Sequence, residues 1–464
     1  MASAQSAPSS PTLGRTQREG VVTDPPKFDL ESYIQNYQGR TRLERLIHIG
    51  ACSTFLGPDA LKLAVREAKA GKDIRRYLEA QSHLEAIAPR EQEAVMDRSW
   101  VDTVDKQNKA ESKRLEAELK GYKNNLIKES IRMGNEDLGK HYQAIGDLSK
   151  AFEAFGRMRQ DISVAKHIID VSRHLVEVAV EQRNWIAVSS NVQKIRSLAP
   201  PTSVSADPPL QPYLSATEGL AQFDAGIYRN AALSFLQTET GMGSTCATIM
   251  SPNDVAIYGG LCALATMDRN ELQSKVLDNT HFRTYLELEP HIRKAIAFFV
   301  NSRYTLCLEI LEGYHTDYLL DIYLQRHVTI LYQKIRSKCI VQYFIPFSFV
   351  TLDNLNEAFC SPGKTIDKEL SGMIQAGELN ARINTVDRLL EALPSNQRAE
   401  AQREALQMAG DFEREARRRI LRMNIGMADL EVKGLKRGGQ HPGAVDDFFD
   451  AHAHAGGNVH VSNF

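Results

Sequence analysis

The chain has 464 residues and a formal net charge of −2 at pH 7, with 42% hydrophobic and 25% charged residues. This composition is ordinary for a globular protein, and it excludes attraction of the whole chain to nucleic acid or to an anionic membrane. The longest apolar run, Ile340–Val350, is too short to span a bilayer, which takes about 20 residues.

The six cysteines contain no Cys-x-x-Cys pair and lie within apolar helical patterns. This spacing predicts reduced thiols instead of a disulfide framework or a structural zinc site. We therefore expect an intracellular protein.

Both ends of the chain have the composition of disordered segments. Residues 1–28 are rich in Ser, Ala, Pro and Thr and contain almost no large apolar side chain. Such a segment cannot offset its ordering entropy by burial, so it is predicted to be a disordered tail. Residues 434–464, rich in Gly, His and Asp, are predicted to be a second disordered tail.

Residues 29–320 show helical periodicity almost throughout, which predicts a helical-repeat domain. One segment fits the tetratricopeptide template of paired antiparallel helices, and Gly219 and Phe235 repeat part of the same spacing. Small residues at Gly139 and Ala151 would let two helices approach closely. The residues at template positions are Leu138, Gly139, Tyr142, Ala151 and Phe155.

Residues 321–393 follow the order helix, strand, helix, helix and hairpin, which predicts a winged helix. A helix-period run begins at Val328, and Gly377 ends the last helix before the hairpin. No flexible linker separates this module from the repeats. The predicted strands are Ser348–Thr351, Leu379–Ile383 and Arg388–Leu393.

Residues 394–433 are predicted to form a C-terminal assembly helix, with an apolar stripe that extends to Met427. The stripe is longer than one small winged helix needs to cover, which indicates a partner surface. A basic run on the same helix is diluted by Glu413 and Glu415, which favours a solvated face; an acidic protein or an inositol phosphate is the alternative ligand. The basic run consists of Arg414, Arg417, Arg418, Arg419 and Arg422.

Fragments of catalytic motifs occur, but none is complete. Gly363-Lys364-Thr365 imitates the end of a phosphate-binding loop, yet the earlier glycine and the preceding strand are absent. His452, His454 and Ser462 match the first part of a zinc-isopeptidase motif, whose ligand Asp is not supplied. We therefore predict no enzyme activity, no cofactor and no metal site.

Winged helices often bind DNA, so nucleic-acid binding is a competing class of function. Residues 364–369 of the second helix carry two lysines and two carboxylates, which leaves no net positive charge to meet phosphates. We therefore expect no specific nucleic-acid binding through this module.

The run from Ile366 to Asn384 resembles the signature of the PCI family, whose members occur in the proteasome lid, the COP signalosome and an initiation factor. Leu319–Tyr332 and Gln342–Phe347 are similar to the signalosome members in particular. The resemblance extends from Asp29 to Ile425. Its upstream stretches are Asn125–Tyr142 and Phe282–Pro290.

The resemblance implies a mainly α fold, in which a right-handed helical-repeat (TPR-like) solenoid precedes a winged-helix PCI module and a C-terminal helix. It also implies a non-catalytic scaffold of the signalosome, which removes a ubiquitin-like modifier from cullins (deneddylation) in the cytoplasm and nucleus. The implied partners are other PCI subunits, a metal-dependent isopeptidase subunit that carries the zinc, and cullin-based ubiquitin ligases. No association with a membrane is implied. A proteasome lid regulatory subunit is the first alternative, and a winged-helix nucleic-acid-binding factor is a weaker one.

Two surfaces are expected to carry the contacts of such a scaffold. The outer strand at Leu379–Ile383 contains no proline or lysine, and its unpaired backbone groups are a template for strand addition. The resemblance implies that winged helices line up side by side and that C-terminal helices gather into a bundle. The expected interface residues are Leu379, Ala381, Arg382 and Ile383 on the strand and Phe412, Ala416, Ile420, Met423 and Met427 on the helix.

Overall fold

The computed structural model describes residues 22–159, 162, 164–198, 210–239, 241–242, 244–359, 365–393, 397–428 and 430. Met1–Ala392 and Leu393–Phe464 are two separate units. The predicted tail at 434–464, with its His and Ser motif, lies outside the described residues, as do residues 1–21 and the Gly363-Lys364 pair.

Order begins earlier than the sequence predicts, because Val22 belongs to the fold although the predicted tail extends to residue 28. The Val22 side chain is buried, and its backbone forms a parallel bridge with Ser53. The Val22 N–H donates to the Cys52 carbonyl at 2.8 Å. This long-range pairing supplies the burial that the local composition does not.

Four short helices form an N-terminal bundle. Two of them begin at aspartates whose carboxylates accept a backbone N–H of the first turn: Asp29 from Ser32 at 3.0 Å and Asp73 from Arg76 at 3.2 Å. The helices are α1 (Leu30–Gln35), α2 (Gly39–Cys52), α3 (Gly57–Ala70) and α4 (Ile74–Ile87), followed by a 3-10 turn at Gln92–Ala94.

The next five helices pack each against the following one, as expected for helical repeats. Gly139 lies against the ring of Phe155, and a Cβ atom at Gly139 would come within 2.7 Å of that ring. Ala151 is fully buried beside it. The helices are α5 (Arg98–Asn124), α6 (Lys128–Ile145), α7 (Leu148–Met158), α8 (Ala165–Glu181) and α9 (Trp185–Leu198).

The following helices repeat the same packing and lead into the winged helix. Gly219 and Phe235 reproduce the earlier contact, with 2.8 Å between the ring and a Cβ placed at the glycine. A capping box between Ser251 and Asp254 begins α12. The helices are α10 (Leu210–Asp224), α11 (Tyr228–Leu236), α12 (Pro252–Thr266), α13 (Arg269–Glu271) with a π turn at Leu272–Leu277, α14 (Thr280–Leu288), α15 (Pro290–Val300), α16 (Tyr304–Gly313) and α17 (His315–Leu319).

The winged helix contains a three-stranded antiparallel sheet in which the last strand is central. The strand order is β1-β3-β2, and the register pairs Val350 with Leu390 and Leu390 with Ile383. These three residues lie on the inner face of the sheet. The elements are α18 (Val328–Phe344), β1 (Phe349–Thr351), α19 (Leu352–Phe359), α20 (Asp367–Gln375), β2 (Ala381–Asn384) and β3 (Leu389–Ala392).

The repeats and the winged helix share one apolar core. Buried side chains form a single cluster from Val176 in α8 to Leu390 in β3. The core is therefore continuous across residue 320, where the sequence pattern places the boundary between repeats and winged helix. This continuity agrees with the predicted order of helical repeats followed directly by a winged helix.

Candidate protein-interaction surfaces

The β2 strand is an outer strand of the sheet and pairs with β3 on one side. The Leu352 N–H donates to the Arg388 carbonyl and the Ala392 N–H to the Ser348 carbonyl, at 2.9 and 2.8 Å. In an antiparallel strand, the backbone N–H and C=O groups of successive residues point to opposite sides. Those of Leu389 and Glu391 therefore point towards β2. Their partners there are Asn384 and Arg382.

It follows that Ala381 and Ile383 direct backbone groups away from the sheet at the outer edge. The Ala381 N–H donates to the Leu379 carbonyl at 3.1 Å. The groups that face outward for a neighbouring strand are then the Ile383 N–H and the carbonyls of Ala381 and Ile383. This is the strand-addition edge that the sequence predicts, with its register now fixed.

The side chains of the predicted strand residues have different environments. Those of Leu379 and Ala381 are buried in the core, and that of Ile383 is half-buried. The exposed Arg382 guanidinium pairs with the Glu391 carboxylate at 2.8 Å. Leu379 and Ala381 therefore offer a neighbour only their backbone, and Arg382 offers a charge that is already paired.

The opposite edge of the sheet is apolar, which the sequence interpretation missed. Phe349 in β1 is 65% exposed, and Ile345 and Phe347 just before it are also exposed. The register places Phe349 opposite Glu391, on the outer face of the sheet. The signal in the sequence is the alternation Ile345, Phe347, Phe349, which the helix-to-strand transition conceals.

The final helix, α21 (Gln397–Met427), carries the predicted stripe on its surface. Phe412 is 77% exposed, and Ala416 is half-buried. Ile420, Met423 and Met427 are exposed as well. A helix with so much exposed apolar surface has the character of a partner-binding element.

The basic run on α21 is largely neutralised by carboxylates one turn away. Arg414 pairs with Asp411, and Arg417 pairs with Glu413 at 2.6 Å. Glu415 pairs with two further arginines at 3.4 and 3.8 Å. These exposed i, i+3 and i, i+4 pairs are typical of a solvated helix face, and they weaken the case for an inositol phosphate ligand.

The described part of the chain contains no cluster of metal ligands. No group of three or more His, Cys, Asp or Glu side chains there could hold a metal ion. The buried His327 has its Nδ1 3.0 Å from the Tyr228 hydroxyl, and burial lowers the pKa of its imidazole. Within the same residues, no helix combines the length and apolarity that a membrane span requires.

A buried ion network joins the N-terminal bundle to α12 and to the segment after α17. Arg45 in α2 is 0% exposed; its Nη2 lies 2.9 Å from Asp254 Oδ2 and its Nη1 lies 2.5 Å from Asp321 Oδ2. Burial alone would raise the pKa of Asp321, but the charge of Arg45 and hydrogen bonds from the Leu324 N–H, Arg45 and Tyr258 outweigh it and lower that pKa. The signal in the sequence is one arginine within an apolar helical stripe.

Two protein families match the chain. The family described as 26S proteasome subunit RPN7 matches residues 97–275. The PCI domain matches residues 311–393, which contain the winged helix. The two matches cover most of the helices that share the apolar core.

The signalosome relatives cover nearly the whole chain, and a proteasome relative covers a smaller part of it. COP9 signalosome complex subunit 1 of Emericella nidulans is 50% identical over 425 residues, which is 89% of this chain and 85% of the relative. The protein of the same name from Neurospora crassa is 48% identical over 414 residues, 88% and 92% of the two chains. A 26S proteasome non-ATPase regulatory subunit 6 homolog from Arabidopsis thaliana is 23% identical over 296 residues, which is 64% of this chain and 75% of the relative.

Proposed function

The chain belongs to the COP9 signalosome complex subunit 1 family, and from this membership we propose that it is a non-catalytic scaffold of a signalosome. It organises other PCI subunits and a metal-dependent isopeptidase subunit, which removes the ubiquitin-like modifier from cullin-based ubiquitin ligases in the cytoplasm and nucleus. The observation that carries this proposal is the open three-stranded sheet, whose outer strands β1 and β2 each pair on one side within the described residues.

The two sheet edges differ in chemistry, which supports an ordered side-by-side arrangement of unlike subunits. The β1 edge presents the exposed rings of Phe347 and Phe349, whereas the β2 edge offers mainly the outward backbone groups of Ala381 and Ile383. Because the two edges are unlike, a contact between the β1 edge of one subunit and the β2 edge of another is heterologous. The scaffold thus receives a different neighbour at each edge of its winged helix.

The final helix supplies the second contact of the proposed scaffold. Its stripe from Phe412 to Met427 is apolar and exposed, and amphipathic helices of this kind are buried against other helices. The arginine and carboxylate pairs on the helix keep the remaining faces solvated. We assign this helix to a bundle with the corresponding helices of other subunits.

The experiment that tests this function is co-expression of tagged chain with the other subunits, followed by purification. Truncation after Leu393 removes α21 and should leave a folded protein that no longer enters the complex. Truncation after Ala428 retains the helix and is the matched control. Normal incorporation of the shorter form would contradict the role of the helix.

A proteasome lid subunit and a nucleic-acid-binding factor are less well supported functions for this chain. The proteasome relative has 23% identity, compared with 50% for the signalosome relative, and it aligns with a smaller part of the chain. In α20, Asp367 and Glu369 offset Lys368, and Glu369 pairs with Arg336 at 2.7 Å. This helix has no positive surplus with which to enter a DNA groove.

A further inference from the structure

The turn between α5 and α6 exposes a group of apolar side chains far from the winged helix in sequence. Leu126 is 82% exposed, and Ile127 and Met133 are each 53% exposed. The Tyr122 ring is also partly exposed and lies against Gly134, where a Cβ atom would come within 3.0 Å of it. We call Lys120–Met133 the α5–α6 tip.

Leu126 has a backbone conformation that does not suit a leucine. Its φ angle is +55°, in the left-handed region, and its N–H donates to the Lys123 carbonyl at 3.2 Å to close the end of α5. Glycine is the usual residue at this position of a helix end, and a branched apolar side chain adds steric cost. The fold thus holds a large apolar side chain in water at a strained position, which indicates a use outside the chain.

The charges around the α5–α6 tip are positive. Residues 119–128 contain Lys120, Lys123 and Lys128 and no carboxylate. None of these lysines has an ion-pair partner among the described residues. The nearest flanking carboxylates are already paired, Glu118 with Arg114 at 2.7 Å and Glu129 with Arg132 at 2.6 Å.

A groove lies beside the α5–α6 tip and extends the surface. It has a volume of about 400 Å³, and four cations and two carboxylates line it together with the apolar Leu119 and Leu138, which leaves a positive surplus. The charged residues are Lys120, Lys123, Lys150, Arg157, Glu116 and Glu153. Glu153 pairs with Arg157 at 2.5 Å, and Glu116 accepts a hydrogen bond from the Tyr142 hydroxyl at 2.7 Å, so both carboxylates already have partners. The groove is therefore suited to a chain segment that alternates negative and apolar side chains.

We propose that the α5–α6 tip and its groove form a docking site for an acidic segment of a partner protein that also carries aromatic or aliphatic residues. Carboxylates of the partner pair with Lys120, Lys123 and Lys128, and its apolar side chains cover Leu126 and Ile127. The positive charge of three lysines flanked by paired carboxylates is too small to attract a nucleic acid or a membrane strongly. It matches the charge of a short acidic peptide. This site is distinct from the winged-helix edges and the final helix that carry the proposed function.

The test uses the full chain and a short fluorescein-labelled peptide in which Asp and Glu alternate with Phe and Leu. Fluorescence anisotropy should show binding that weakens as salt rises, because part of it is ionic. Leu126→Gly should weaken binding about tenfold, since one buried leucine contributes roughly that factor. The same variant should melt at an unchanged or higher temperature because glycine relieves the left-handed strain.

Matched controls separate this site from general stickiness. Ile186→Gly removes another highly exposed apolar side chain, on α9, and should leave peptide affinity unchanged. A peptide with Ser in place of Phe and Leu should bind much more weakly. The proposal is overturned if the acidic peptide does not bind, if Leu126→Gly binds it normally, or if single-stranded DNA or phosphatidylserine vesicles bind the same residues more tightly.

Discussion

The guanidinium of Arg45 lies 2.9 Å from the carboxylate of Asp254, although 209 residues separate them along the chain. Asp321 closes the network from the other side, so one buried cation faces two buried carboxylates. This arrangement fastens the first four helices to the part of the repeats that precedes the winged helix. The N-terminal bundle is thus fixed to the repeats by a long-range ionic contact as well as by the chain connection.

Arg45→Ala should lower the free energy of unfolding by about 3–5 kcal/mol, because it leaves two buried carboxylates without their cation. Urea unfolding followed by circular dichroism measures this loss. Arg66→Ala is the control, since the Arg66 side chain is 65% exposed in its pair with Glu93. The control should cost less than about 1 kcal/mol. Equal costs for the two variants would show that the network is not a stabilising contact.

Gly139→Ala should destabilise the repeats by about 1–3 kcal/mol, because the added methyl group meets the Phe155 ring at 2.7 Å. Gly156→Ala is the matched control, as nothing lies within 4 Å of a Cβ there. Alanine at that helical position should be neutral or slightly stabilising. Thermal unfolding distinguishes the two. A Gly139→Ala variant that melts no lower than the control would mean that close helix approach is not required.

The repeat contacts could be read from the sequence because they are local. Gly139 and Phe155 are 16 positions apart, and their spacing matches a known template of two packed helices. The three strands of the winged helix were also found to within about two residues, since apolar alternation and turn residues mark them. The family resemblance was confirmed by relatives that cover nearly the whole chain.

What could not be predicted depends on contacts between distant residues. Nothing near Arg45 in sequence indicates Asp254 or Asp321. Strand register also depends on contacts between distant residues. A shift of one residue decides whether the backbone groups of Arg382 or those of Ile383 face the open edge. The structure directs Arg382 towards β3 and buries Leu379 and Ala381, so that strand offers mainly its backbone to a neighbour.

Glu181 should make stability depend on pH near neutrality. Burial raises the pKa of its carboxyl from the usual 4.5 to about 7, while a hydrogen bond from Gln143 at 2.7 Å opposes the shift. Arg40, Glu44 and Glu177 are the charged groups that also act on it. Because the folded pKa is raised, the protonated form stabilises the fold below pH 4.5, and this stability is lost as pH rises through about 7.

Glu181→Gln keeps the hydrogen bond and removes the titration. We expect the variant to exceed the parent by about 3 kcal/mol at pH 8 and to match it closely at pH 4.5. Melting temperatures across this range give the comparison. Glu309→Gln, at an exposed site on α16, should show no such trend. A difference independent of pH would refute the assignment of the raised pKa to this carboxyl.

Phe349→Ser should reduce recovery of a neighbouring PCI subunit without lowering the melting temperature. The ring is 65% exposed, so its removal costs little in the isolated chain but deletes apolar surface from the β1 edge. Val386→Ser, at an exposed position in the β2–β3 turn, is the control and should retain every neighbour. Full recovery with Phe349→Ser would assign the subunit contacts to surfaces other than this edge.

The central claim, that this chain is a structural subunit of a signalosome, is tested most directly by native purification of the tagged chain. Mass spectrometry of the intact complex measures which proteins are present and in what ratio. The account predicts other PCI subunits and one metal-dependent isopeptidase in equal amounts, and cleavage of the modified cullin by that complex but not by the isolated chain. Recovery of proteasome lid subunits instead, or of the chain without partners, would contradict it.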